Sequence, residues 1–166
     1  MIKKFKDYKL FLIGDDYTNN DELLELSKII DPDKIYIENL PIAIERVKYE
    51  GKQLWCTSGV NANNVGIKKA LSEGFEYICI LNHDDFYDDV NHLQEISDCI
   101  DATNTNFVTT RCGKLPDVRS IEYYTPYRPI SSHLCGVSAC VNFKHLPFFY
   151  RNMVEEFNRM YPSDAD

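Results

Sequence analysis

The apolar run Lys9-Leu10-Phe11-Leu12-Ile13 stops at Gly14-Asp15-Asp16, the pattern of a buried strand that ends in a turn. Across residues 19–30, Leu23, Leu24, Leu26, Ile29 and Ile30 fall on one helical face. Asn19 or Asn20 suits the N-cap, and Asp21 and Glu22 suit the positive helix start. Pro32 ends that helix, and Lys34-Ile35-Tyr36-Ile37 predicts a second strand. Residues 41–49 mix Ile42, Ile44 and Val47 with charges and predict a short surface helix. Gln53-Leu54-Trp55-Cys56 predicts another strand. Residues 61–73 predict a helix carrying Val65, Ala70 and Leu71, with Gly74 as its stop. Residues 76–81 form the most hydrophobic strand, and residues 90–100 a helix led by several Asp.

Beyond that point the pattern changes. Phe107-Val108-Thr109-Thr110, Ile121-Glu122-Tyr123-Tyr124 and residues 136–141 predict strands, with Pro116, Pro126 and Pro129 marking irregular connections. Residues 146–160 predict a helix that tolerates Pro147 in its first turn. The alternation of strand and helix over the first hundred or so residues argues for a mostly parallel sheet with helices on both faces. Ligands of such sheets sit beyond the carboxyl ends of the strands. Both acidic clusters, Asp15-Asp16 and Asn82-His83-Asp84-Asp85, follow directly after predicted strands.

Composition narrows the classes. With 166 residues the chain has room for one domain, and 44% hydrophobic with 27% charged residues is ordinary globular usage, which sets aside disorder, collagen and coiled coil. A net charge of -8 argues against broad binding to nucleic acid or to an anionic membrane. No apolar stretch approaches the ~18 residues of a transmembrane helix, and the basic start lacks a signal core. Cys56, Cys79, Cys99, Cys112, Cys135 and Cys140 contain no CxxC pair. Buried free thiols in a reducing, cytoplasmic compartment are therefore expected.

The acidic clusters carry the candidate chemistry. Adjacent carboxylates at a strand end stay ionised together only if solvent, hydrogen bonds or a cation compensates their repulsion. As hard oxygen ligands, Asp84 and Asp85 suit Mg2+ or Mn2+ bridging to a phosphate; a solvated acidic turn is the ordinary alternative. His83 offers a nitrogen ligand or a loop hydrogen bond. Asp15-Asp16 could hold a ribose hydroxyl or base edge, or cap the following helix. Gly59-Val60-Asn61-Ala62-Asn63-Asn64-Val65-Gly66-Ile67 places small residues and Asn at a helix start, where free N–H groups can face an anion. It lacks the GK[ST] ending of a P-loop.

In this order the three stretches resemble the family 2 glycosyltransferases of the GT-A fold. That family runs a strand into VDDGST, then GxxxARNxGI, then a strand into LDxDD. The matching stretches are Leu12-Ile13-Gly14-Asp15-Asp16-Tyr17-Thr18, residues 59–67, and Ile80-Leu81-Asn82-His83-Asp84-Asp85. The resemblance covers residues 5–100 best and is looser over 105–166. It implies a Rossmann-like GT-A three-layer α/β sandwich in a single domain, with residues 1–104 binding the nucleotide sugar and 105–166 facing the acceptor. It also implies a hexosyltransferase-like enzyme that moves a sugar from a nucleotide-diphosphate donor to an acceptor hydroxyl with inversion. On this reading Asp15, Asp16, Asn63, Asn64, Asn82 and His83 bind the nucleotide sugar. Asp84 and Asp85 hold Mn2+ or Mg2+, and Asp164 or Asp166 is the catalytic base.

The chain also departs from that pattern. Asn82 stands where the family has the first Asp of its DxD motif, and Asn63 where it has Arg. Residues 40–52 look like an insertion. The family's opening strand-turn-helix unit has no counterpart, so the domain is expected to be minimal or truncated, with another chain or a rearranged strand covering the open sheet edge. These departures motivate an alternative, a catalytically inactive binding or assembly module with the same fold. A receiver-type signalling domain would use Asp15, Asp16 and Asp84, but it leaves residues 59–67 unexplained and lacks its Lys at a final strand end.

Overall fold

The computed structural model describes residues 7–42, 46–57, 59–81, 87, 89–109, 139–147 and 149–150. The chain divides into two compact units, one built from residues 8–73 with 148–166 and the other from residues 1–7 with 74–147.

In the first unit, β1 (Leu10–Asp15) pairs in parallel with β2 (Ile35–Leu40), Leu10 opposite Ile35 and Asp15 opposite Leu40. The crossover between them is α1 (Asn20–Ile29) followed by a 3-10 turn over Pro32–Lys34, where the Asp31 carboxylate accepts from the Asp33 N–H. Parallel strands require such a crossover, and the polar break after Ile13 with the acidic first turn of α1 supplies its start. α3 (Val60–Ser72) then packs on β1. A Cβ added to Gly66 would lie 3.3 Å from Ile13 Cγ1, so the glycine sets the close approach of helix and strand. Leu23, Leu40, Ala62, Ile67 and Ala70 are buried here, drawn from α1, β2 and α3. Gly74, expected as the stop of α3, takes φ +90° just beyond it.

Three expectations are corrected. Gln53-Leu54-Trp55-Cys56 lies within a helix, α2 (Gly51–Thr57), rather than a strand. The N–H groups of Gln53 and Leu54 both donate to the Glu50 carbonyl, at 3.1 and 3.3 Å, and this opens a helical turn. A run of four residues carries too little period to separate the two conformations. Residues 46–48 form a turn, closed by the Tyr49 N–H on the Arg46 carbonyl at 3.0 Å, where a surface helix was expected; residues 43–45 lie outside the described residues. Of the helix expected over residues 146–160, Leu146, Pro147, Phe149 and Tyr150 are not helical, and residues 148 and 151–160 lie outside the described residues. The Tyr150 N–H donates instead to the Asn64 side-chain oxygen at 2.8 Å.

In the second unit, β5 (Ala139–Asn142) lies between β3 (Tyr77–Cys79) and β4 (Phe107–Thr109), antiparallel to both. β3 and β4 therefore run in the same direction, as their connection through α4 (His92–Thr103) requires. Among the described residues parallel pairing is confined to β1 and β2, short of the mostly parallel sheet expected, because β5 pairs antiparallel with both β3 and β4. Among the described residues the architecture is mixed α/β, with one small parallel and one small antiparallel sheet. Ile96, Val108 and Cys140 form the core of this unit, with Tyr77, Cys79 and Ile100 packed against it. Cys140 fits the expectation of a buried thiol, whereas Cys99 is exposed. The predicted strand at 121–124 lies outside the described residues.

Two measurements probe these cores. Ile67 is only 2% exposed, so Ile67→Ala is expected to cost about 2–5 kcal/mol in urea unfolding through lost transfer energy and a cavity. Tyr87 stacks on His92 with ring centroids 3.9 Å apart. Burial, reinforced by charge on Cys79 and Cys140, holds the Tyr87 hydroxyl above its ordinary pKa of 10.0. A raised folded-state pKa gives stability that is complete below about pH 10 and is lost as pH rises further. Melting temperature followed from pH 8 to 11 should fall less in Tyr87→Phe than in the unaltered protein.

Candidate functional site

The site grows from the geometry of β1 and α3. The helix runs antiparallel to the strand, so its first residues lie at the carboxyl end of β1. Gly66 rests on Ile13. Seven residues back along the helix is about 10 Å, and two residues forward along the strand is about 7 Å. These steps bring Gly59 and Asp15 together: the Gly59 N–H donates to Asp15 Oδ2 at 3.1 Å. Gly59 caps α3 at φ +69°, a conformation that would cost a residue with a Cβ about 1–2 kcal/mol. The carboxylate thus faces the positive end of the helix.

Arg46 completes the cluster. Its Nη1 forms an ion pair with the same Asp15 Oδ2, and both side chains are only 16% exposed. Among the described residues, Asp15 Oδ1 and Arg46 Nε are buried without a hydrogen-bond partner. One is an acceptor and the other a donor, and buried polar atoms of this kind ordinarily have a partner. Sequence reasoning missed Arg46, because it lies in the segment read as an insertion. One signal was available: it is the only arginine among residues 1–110.

The neighbouring residues frame this cluster. Asp16 is exposed at φ +62°, and its N–H extends the β1–β2 ladder by donating to the Leu40 carbonyl at 2.9 Å. The Tyr17 N–H donates to Asn39 Oδ1 at 3.0 Å, while Asn39 Nδ2 donates to the Tyr17 carbonyl at 2.7 Å. This clamp fixes the turn after β1. A Cβ on Gly14 would lie 3.0 Å from Asn39 Cγ, so only glycine leaves the clamp room. The Tyr17 hydroxyl donates to the Glu22 carboxylate, which raises its pKa.

Asn63 and Asn64 begin α3 but face different partners. A Cβ on Gly59 would sit 3.5 Å from Asn63 Nδ2, so the Asn63 amide lies over the capping glycine. Asn64 is bonded through both amide atoms to the Tyr150 backbone, each at 2.8 Å. The structure therefore brings Asp15, Arg46, Gly59 and Asn63 together, leaves Asp16 in solvent, and engages Asn64 with Tyr150.

Asn82, His83, Asp84, Asp85, Asp164 and Asp166 lie outside the described residues, as do Tyr123, Tyr124 and Tyr127. Among the described residues no three His, Cys, Asp or Glu side chains converge as a metal-binding group. No described helix is long and apolar enough to cross a membrane.

Comparison with known proteins gives one informative result. The chain is 29% identical to a protein of Acanthamoeba polyphaga mimivirus named as an uncharacterized glycosyltransferase, over 174 aligned positions that span 97% of this chain and 69% of the other. The similarity supports a glycosyltransferase. No family model matches the chain, and no solved structure matches it.

The Asp15–Arg46 pair predicts a stability coupling. Arg46→Met leaves a mostly buried carboxylate without its counter-charge, and Asp15→Asn leaves the guanidinium likewise. Each single variant should lose on the order of 2 kcal/mol in urea unfolding, and the double variant less than the sum of the two.

Proposed function

We propose that the chain is a metal-dependent, inverting glycosyltransferase of the GT-A type, moving a sugar from a nucleotide-diphosphate donor to an acceptor hydroxyl. The observation that carries this reading is the similarity, along 97% of the chain, to a protein named as a glycosyltransferase. The order of the three sequence stretches supports it, as does the meeting of the first two, the end of β1 and the start of α3, at Asp15 and Gly59. That junction lies at the carboxyl end of a parallel pair, where α/β sheets bind ligands.

The roles follow from chemistry. Asp15 Oδ1 offers an acceptor and Arg46 Nε a donor, the complement of a base edge that presents an N–H beside an acceptor. Asp84, with Asp85 beside it, supplies the hard oxygen ligands that Mn2+ or Mg2+ prefers. When bound, such a cation neutralises charge on the leaving nucleoside diphosphate. Asp164 or Asp166 takes the proton of the acceptor hydroxyl as its oxygen attacks the anomeric carbon. The bond from that carbon to the diphosphate breaks in the same displacement, which inverts the anomeric configuration.

Thermal melting with UDP-, GDP- and CDP-sugars in the presence and absence of Mn2+ tests the reading. One nucleotide class should raise the melting temperature in a Mn2+-dependent way, with stabilisation near 2.7 kcal/mol at a hundredfold excess over Kd. Asp84→Ala should lose the Mn2+-dependent part of that rise. No metal-dependent shift with any donor would sink the proposal. A shift without turnover on any hydroxyl acceptor would favour the inactive binding module that Asn82 and Asn63 suggest.

A further inference from the structure

The antiparallel sheet sets two cysteines face to face. Cys79 on β3 and Cys140 on β5 are register partners. The ladder identifies the kind of pair they form. The Phe143 N–H donates to the Glu76 carbonyl at 2.9 Å, which makes 76/143 a hydrogen-bonded pair. Alternation along the strands makes 77/142 non-bonded, 78/141 bonded and 79/140 non-bonded. The Asn142 N–H agrees, since it turns to the other side and donates to the Asn106 carbonyl at 2.9 Å. Residues in a non-hydrogen-bonded pair have Cα atoms about 4.5 Å apart and closely approaching side chains. That falls within the ~4.4–6.8 Å range that a disulfide spans.

Both are free thiols. Their surroundings differ: Cys140 is 2% exposed within the cluster of Ile96 and Val108, whereas Cys79 is partly exposed. We propose that Cys79 and Cys140 form a redox-active dithiol that exchanges with low-molecular-weight disulfides of the glutathione type and closes into a cross-strand disulfide. The neighbouring Cys140 thiol lowers the Cys79 pKa, and the Cys79 thiol, together with burial, raises that of Cys140. Cys79 is thus both the more accessible thiol and the better thiolate.

The exchange balances in two steps. The Cys79 thiolate attacks one sulfur of the small disulfide, forming a mixed disulfide and releasing one small thiolate. The Cys140 sulfur then attacks Cys79 Sγ as its proton passes to the departing sulfur, which leaves as the second small thiol. Two protein thiols are oxidised, one small disulfide is reduced to two thiols, and no other oxidant is required. The product staples β3 to β5 three residues ahead of Asn82.

The test treats the folded, full chain with oxidised glutathione, blocks the remaining thiols and maps peptides without reduction. A linked pair of peptides containing Cys79 and Cys140, lighter by two hydrogens and released by dithiothreitol, is expected. Cys140→Ser should trap the mixed disulfide on Cys79. Cys99→Ser, which alters an exposed thiol on α4, should leave the link intact. Finding both Cys79 and Cys140 as free thiols, Cys79 halted as the mixed disulfide in the unaltered chain, or either residue linked to a different cysteine would overturn the proposal.

Discussion

The Asp15 carboxylate is where strand, helix and turn of the first unit meet. Its Oδ2 receives both the capping N–H of α3 and the Arg46 guanidinium. In a low-dielectric setting such a charge-assisted arrangement fixes direction more than it adds stability. It commits α3 to start at the end of β1, and it anchors the turn at residues 46–48. Gly66 against Ile13 and Gly59 at positive φ are the steric conditions that let the polar contact form. Lys9 with Glu73, at 2.6 Å, ties the start of β1 to the residue just beyond α3. Strand and helix are thereby joined at both ends by charge and along their length by apolar packing.

Local structure was largely legible in the sequence. Apolar runs located β1, β2 and β3, and the 3.6-residue period located α1, α3 and α4. What the sequence hid was of two kinds. α2 was read as a strand because Gln53 to Cys56 is too short to show a period. The place of β5 was hidden because register between distant strands depends on pairing that no local pattern encodes. Strand–helix alternation argued for a mostly parallel sheet, whereas β3 and β4 each pair antiparallel with β5. It could not say that a strand from far along the chain would lie between them.

The site was legible to a similar extent. Asp15 and residues 59–67 were singled out, and they meet through Asp15 and Gly59. Arg46 was missed because a lone arginine in a charged, aperiodic segment has no spacing to betray it. The meaning of Asn64 was hidden for a related reason: its partner lies 86 residues away, and that partner is backbone rather than side chain. Reading the asparagines at the start of α3 as a set concealed that one overlies the capping glycine and the other binds Tyr150.

The Asn64–Tyr150 bond has a temporal side. A chain made at about 5–20 residues per second reaches residue 150 some 4 to 17 seconds after residue 64, given the 86 positions between them. Until then the Asn64 amide lacks the Tyr150 backbone as a partner. The whole second unit is translated before its partner arrives. The first unit draws on chain from both sides of residues 74–147, so its Asn64–Tyr150 contact closes only after that stretch has been made.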